Sequence, residues 1–194
     1  MKRIIKENIP DFFSNFVAHN TPHTWEETAP IRQELRKHIL AEQGNCCAYT
    51  EMRLTGQVDC HIDHFRTRHL FPEKTFDYYN MMVSCNAEEY GAKSKDKLLT
   101  SKSDYNDLIN PVEDIPSDYI RFSVTGDVLP VGNSPKGAKT ITFFNLNEKK
   151  LLERRRIVTL YVLQMKRYLT EDEMVEAVGE FGSMVRQLYR NNLP

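Results

Sequence analysis

The stretch Cys60-His61-Ile62-Asp63-His64-Phe65 decides how the rest of the chain is read. Val58 to Phe65 has the composition of a strand, and side chains two residues apart on a strand share a face. His61 and Asp63 stand in that relation, and His64 follows directly. A carboxylate beside an imidazole is common on protein surfaces, where it signals an ordinary hydrogen bond. The same pair is also the smallest unit of a metal-assisted hydrolytic site. Asp63 offers a hard oxygen of the kind Mg2+ or Mn2+ takes. His64, with an ordinary pKa near about 6.5, can accept a proton at neutral pH. The surrounding sequence has to decide between the two.

Upstream, Glu26 to Glu42 carries Ile31, Leu35 and Ile39 at every fourth position, a helical face ended by Gly44. Residues 1–25 read as an extended arm broken at Pro10 and Pro22, with a short helix around Asp11 to Val17. A knuckle follows at Asn45-Cys46-Cys47-Ala48-Tyr49-Thr50, then a turn at Thr55-Gly56. Downstream of the strand, a loop from Arg66 to Thr75 carries Pro72. Asp77 to Ser84 then links it to a helix-capable segment from Cys85 to Lys97. Tyr119 to Val124 and Val128-Leu129 flank Thr125-Gly126-Asp127 as a hairpin. Ala138 to Phe144 is β-prone but could start a helix. Asn147 can cap a long helix from Glu148 to Leu169, and Thr170-Glu171-Asp172-Glu173 is a capping box opening a last helix to Tyr189. On the long helix, Arg154-Arg155-Arg156 reads as a solvated or partner-facing surface. Ile157, Leu160, Tyr161, Leu163 and Met165 wrap too much of it for a lone surface helix, which implies burial in the domain or an interface. The fold class is therefore α+β: a small central unit, 46–100, between an N-terminal arm and helix, 1–45, and a mostly helical C-terminal extension, 101–194, in one compact unit.

The 194 residues, 40% of them hydrophobic, suffice for a core. The formal net charge of -1 excludes a chain that binds nucleic acid by bulk cationic character, so any such contact needs local basic residues or a partner. Four irregularly spaced cysteines, two of them adjacent, do not make a secreted disulfide scaffold and suit a reduced compartment. No run approaches the roughly 18 apolar residues of a membrane span. Lys2 and Arg3 are followed too soon by Glu7-Asn8 for a signal peptide. The expectation is a cytoplasmic protein with no membrane contact.

The order of motifs goes beyond composition: Trp25; Leu35-Arg36; Gln43-Gly44-Asn45-Cys46-Cys47-Ala48-Tyr49-Thr50-Glu51; His61 to Arg68; Asp77 to Asn80; Ser84-Cys85; Ile109-Asn110-Pro111; and Phe144-Asn145-Leu146-Asn147 with Leu151 and Arg155. Over about residues 1–160 this order resembles the HNH nuclease subunit (PtuB) of the Septu anti-phage defence system, which also occurs as a retron effector. The resemblance implies a ββα-metal (HNH) core and phosphodiester hydrolysis with one divalent ion, Mg2+ or Mn2+. It implies that His64 is the general base, Asp63 a metal ligand, and Asn80 the residue that fixes His64 from across the hairpin. His61 would be a metal or phosphate contact, and Lys93 with Lys95 and Lys97, together with Arg66 and Arg68, would meet phosphate. It further implies an ABC-type (SMC/RecF-like) ATPase partner, PtuA, and a nucleic-acid target, DNA by expectation. In retron versions a reverse transcriptase with its RNA–DNA product joins.

Two departures from the family pattern bear on the site. The family carries two cysteine pairs for structural zinc, a closed site that needs four ligands. Here Cys47 and Cys85 remain, while their partner positions hold Thr50 and Tyr90 or Glu88, so a structural zinc is not expected. The usual metal ligand of the following helix falls near Glu89 to Gly91, and Gly91 has no ligand atom. Glu89 and Asn86 are the candidates. The alternative to a nuclease is a catalytically weakened HNH scaffold that serves as a regulatory or assembly subunit. A zinc-finger DNA-binding module would need two complete cysteine pairs.

Overall fold

The computed structural model describes residues 1–56 and 58–191. At its centre, β1 (Cys60–His64) pairs antiparallel with β2 (Met81–Cys85), with Cys60 opposite Cys85 and His64 opposite Met81. Every residue of β2 is buried, because protein covers both its faces and its second edge. That edge is closed by the Gln43 side chain, which hydrogen-bonds both Val83 N and Val83 O, and by Ala48 N, which also donates to Val83 O. The sequence predicts no strand at Met81–Cys85 and a helix from Cys85 onward. The helix α3 instead spans Ala92–Leu98. It starts after Gly91, whose φ of 77° lets the chain turn back over the end of β2, so close that a Cβ there would stand 3.1 Å from Ser84 Oγ.

The N-terminal arm carries α1 (Asp11–Asn20), which Pro10 precedes and Thr21 ends in the left-handed region. The helical pattern read from Glu26 is split. Trp25–Thr28 is a 3-10 turn closed by a Thr24–Glu27 capping box, and α2 (Arg32–Glu42) begins only past Pro30. Leu35, Ile39 and Leu40 are its buried face.

The C-terminal extension carries the hairpin β3 (Ile120–Phe122) and β4 (Val128–Pro130). Helix α4 (Pro135–Phe143) resolves the ambiguous segment, because Pro135 sits in its first turn and Ser134 caps it through Gly137 N. Asn147 does not cap the next helix. Its amide is spent on Val128 N and O, and Glu148 caps α5 (Lys149–Met165) through Lys150 N. The capping box at Thr170 and Glu173 is present, but it opens α6 (Glu171–Val178), which ends at Gly179. A separate α7 (Gly182–Arg190) follows. On α5 the arginine run is only partly on the surface, and burial within this chain does not extend to the whole apolar cluster: Arg155 is 1% exposed while Ile157 and Leu160 are each 68% exposed. One contiguous core joins Met1 and Ile4 of the arm, Leu35 and Ile39 of α2, Met82 of β2, and Met184 and Leu188 of α7. Among the described residues no helix is long and apolar enough to cross a membrane.

Candidate active site

Strand β1 ends beneath a cavity of about 460 Å³ lined by His61, Ile62, Asp63, His64, Thr67, Arg68, His69 and Asp96. A larger cavity of about 740 Å³ lies between β3 and α7, and its lining offers no imidazole or carboxylate. Of these two, only the former is lined by groups able to do acid–base or metal chemistry.

Asp63 is buried, yet only one of its oxygens is committed. Oδ2 accepts from the Tyr49 hydroxyl and from Lys95 Nζ at 3.2 Å. Among the described residues nothing hydrogen-bonds Oδ1. Burial disfavours the Asp63 carboxylate, but the Lys95 ammonium and the Tyr49 hydroxyl outweigh it and hold the acid below its usual range. Lys95 is itself fully buried. Its Nζ also donates to His64 O at 3.2 Å and Phe65 O at 3.0 Å, and stands 3.0 Å from Asp96 Oδ1. One lysine thus ties the end of β1 to α3 and sits between two carboxylates.

His64 is oriented by the loop. Its Nε2 lies 2.9 Å from Thr75 O, and since a carbonyl can only accept, Nε2 carries the proton and Nδ1 keeps its lone pair. Trp25 meets the ring edge-to-face, with centroids 4.6 Å apart. Burial lowers the imidazole to about 4, so it is neutral at physiological pH and able to accept a proton. His61 is set the same way by another partner. The Asn86 amide donates Nδ2–H to Val58 O, so its Oδ1 faces His61 Nδ1 at 2.8 Å and accepts from it. Nε2 of His61 is left with a free lone pair.

Several expected roles need correction. Asn80 does not reach His64. Its Oδ1 accepts from Arg66 N and its Nδ2 donates to Arg66 O and Lys74 O, so it staples the loop, and Thr75 holds the ring. Asn86 is spent on His61 and Val58. Glu89 is exposed and lies outside the cavity. The acid that α3 does present there is Asp96, one residue past the buried Lys95. Desolvation and then the Asp63 charge push Asp96 upward, outweighing the Lys95 ammonium 3.0 Å away. Lys93 turns outward to Glu88 at 2.7 Å, and Arg66 is paired with Glu113 at 2.8 Å. Lys95 is buried and Lys97 is paired with Glu88, so Arg68 alone of the proposed phosphate contacts lines the cavity, exposed and 3.3 Å from Glu26.

The motif pattern reads Lys95 as a phosphate contact, whereas it is a buried partner of Asp63, and it does not single out Asp96, Tyr49 or Thr75. Lys95 and Asp96 have a signal: Ala92, Lys95, Asp96 and Leu99 recur at i, i+3, i+4 and i+7, one face of a helix. Thr75 acts through its carbonyl and carries no sequence signal.

His61, Asp63 and Asp96 offer one nitrogen and two carboxylate oxygens, a donor set that fits a divalent ion such as Mn2+ or Mg2+. Their ligand atoms line one cavity without being gathered within 4.8 Å of one another. Cys47 and Cys85 are buried with sulfurs 3.8 Å apart, and among the described residues no third thiol, imidazole or carboxylate joins them at ligand distance.

No family model matches the chain. It is similar to an Escherichia coli protein named "Retron Ec83 putative HNH endonuclease", 25% identical over 201 residues, an alignment covering 80% of this chain and 78% of that protein.

Proposed function

We propose that this chain is an HNH endonuclease that hydrolyses phosphodiester bonds with a divalent ion held by Asp63, Asp96 and His61. One observation carries it. Asp63 and His64 each have one polar atom fixed by the protein, through Lys95 and Tyr49 in one case and Thr75 in the other. Each lines the same cavity, and among the described residues nothing hydrogen-bonds its second atom. The relative's name and the order of motifs along the chain support the same reading. His64 Nδ1 takes a proton from a water that attacks the phosphate. Nε2–H on Thr75 O and the Trp25 edge keep the ring from turning. Arg68 draws the substrate backbone to the cavity mouth. The bound ion, Mg2+ or Mn2+, supplies a Lewis acid for the charge that develops on phosphate oxygens.

The proposed target is DNA. The proposed setting is an anti-phage complex of the Septu or retron type, with an ABC-type ATPase and, in a retron, a reverse transcriptase. The near-neutral charge suits a subunit that leaves most of the backbone grip to a partner. The test is plasmid nicking with Mg2+ or Mn2+, with and without such an ATPase, comparing wild type with His64→Ala. A loss of about 10²-fold or more is expected. Equal cutting by the two proteins overturns the assignment.

The ungathered donor atoms favour a second reading, a weakened scaffold subunit. Absence of Mn2+ binding with and without DNA would select it.

A further inference from the structure

A second cluster of ligand atoms lies where the N-terminal arm crosses α2. Glu7, His38 and Glu42 each bring one to within 4.8 Å of the others. None of the three lines the cavity of His61 and Asp96. His38 and Glu42 are four apart on α2 and share a face. Among the described residues two polar atoms there have no partner, His38 Nε2 and the Tyr78 hydroxyl. Tyr78 is 1% exposed, and its phenol is pushed up by burial and then by the carboxylates of Glu42 and Glu7, at which it is aimed. His38 Nε2 lies 3.9 Å from Glu42 Oε1, too far for a hydrogen bond. It is a natural spacing for two ligands of one ion, since metal–ligand bonds of about 2.1 Å allow ligands up to roughly 4.2 Å apart.

We propose that Glu7, His38 and Glu42 hold a divalent transition ion, Zn2+ by donor type, that clamps the N-terminal arm onto α2. An imidazole with two carboxylates is a recurrent zinc set with a fourth position open to water. With the ion bound, the unpartnered Tyr78 hydroxyl would donate to the ligating carboxylate of Glu42, as outer partners of metal ligands do. The built-in competitor is Lys6, whose Nζ sits 2.9 Å from Glu42 Oε2. Glu42 Oε1 accepts from Glu7 N at 3.0 Å and keeps a second lone pair, so the ion must use that lone pair or displace the ammonium from Oε2. Glu7 is exposed and can rotate inward to close the remaining gap. Through Tyr78 the clamp also bears on the Tyr78–Asn80 turn, from which β2 starts.

The experiment uses the full chain and Zn2+ alone, titrated against a chromophoric chelator. An Asp63→Asn/Asp96→Asn background removes the carboxylates of the catalytic cavity. One equivalent of Zn2+ should bind in that background. His38→Ala or Glu7→Gln should weaken it by at least about tenfold, and Lys6→Met should strengthen it. Zn2+ should also raise the Tm of the parent and not of Glu7→Gln, a surface change that keeps the test open even where His38→Ala fails to fold. No saturable binding in that background, or equal affinity in the parent and Glu7→Gln, overturns the site. Neither result bears on the nuclease, whose test rests on His64.

Discussion

Replacing Lys95 by Met should unsettle this protein more than any surface change, and the structure sets the scale. The ammonium is fully buried and lies within 3.2 Å of Asp63 Oδ2, Asp96 Oδ1, His64 O and Phe65 O. Met keeps most of the aliphatic stem, so the loss is chiefly electrostatic. It leaves Asp63, 5% exposed, as a buried charge without its cation. Breaking a buried pair from one side costs about 3–5 kcal/mol. For a chain of this length that is roughly 6–20 °C in Tm, a large part of a total stability of about 5–15 kcal/mol. Urea unfolding of the wild type, Lys95→Met, Asp63→Asn and the double variant measures it. Asp63→Asn removes the orphaned charge, so the double variant should be more stable than Lys95→Met alone, with a coupling of about 1–3 kcal/mol. Mn2+ should stabilise Lys95→Met more than wild type, because a divalent ion is the other cation that Asp63 and Asp96 can share. A cost below about 1 kcal/mol, or simple additivity, would refute the claim that Lys95 neutralises this end of β1.

The other expectations follow from single contacts. Asp96→Asn should lower Mn2+ affinity and nicking by about 10- to 100-fold, while Glu89→Gln changes neither, and a metal titration with plasmid assays compares them. Asn80→Ala removes three hydrogen bonds to Arg66 and Lys74 and leaves buried backbone groups unpaired, which should cost about 2–4 kcal/mol by urea unfolding. The same change frees the loop that carries Thr75, so nicking should fall as well. Glu171 is held at about 2 by hydrogen bonds from Arg190 and then Arg186, against an ordinary 4.5. A depressed carboxylate gives stability that is complete above the unfolded pKa and fades as pH falls towards the folded one. Between about pH 5 and pH 2 the wild type should therefore lose more stability than Glu171→Gln, as followed by circular dichroism.

What is legible in the sequence divides along a physical line. The periodic segments α1, α2, α5 and the hairpin β3–β4 are visible because hydrophobic spacing and turn residues are local signals. Met81-Met82-Val83-Ser84-Cys85 shows no alternation, because β2 is covered on both sides and a wholly buried strand has no polar face to reveal its period. Asp63, His64 and His61 can be named from the motif, and the structure places all three on the cavity. Their holders cannot. Thr75 acts through backbone. Tyr49 and Lys95 lie far from Asp63 along the chain, and the lysine row Lys93, Lys95, Lys97 reads as one charged patch until helix geometry turns the middle one inward. The motif marks Asn80 as important but points it at the wrong partner, since loop closure alone decides which carbonyls its amide meets.

The knuckle shows why the C-terminal helices belong to the same device. Cys47 and Cys85 are packed as core residues, and the turn at Glu51, with φ of 62°, needs other support. That support comes from the junction of α6 and α7. Glu51 O accepts from Phe181 N, the Glu51 carboxylate accepts from Ser183 N and Oγ, and Arg53 N donates to Glu180. The clamp grips residues next to Tyr49, whose hydroxyl holds Asp63. The Gly179–Ser183 break is therefore not a flaw in one long helix. It turns backbone and a hydroxyl toward a buried carboxylate, so the last two helices fasten the knuckle that positions the candidate metal ligand, by hydrogen bonds spread over a helix junction.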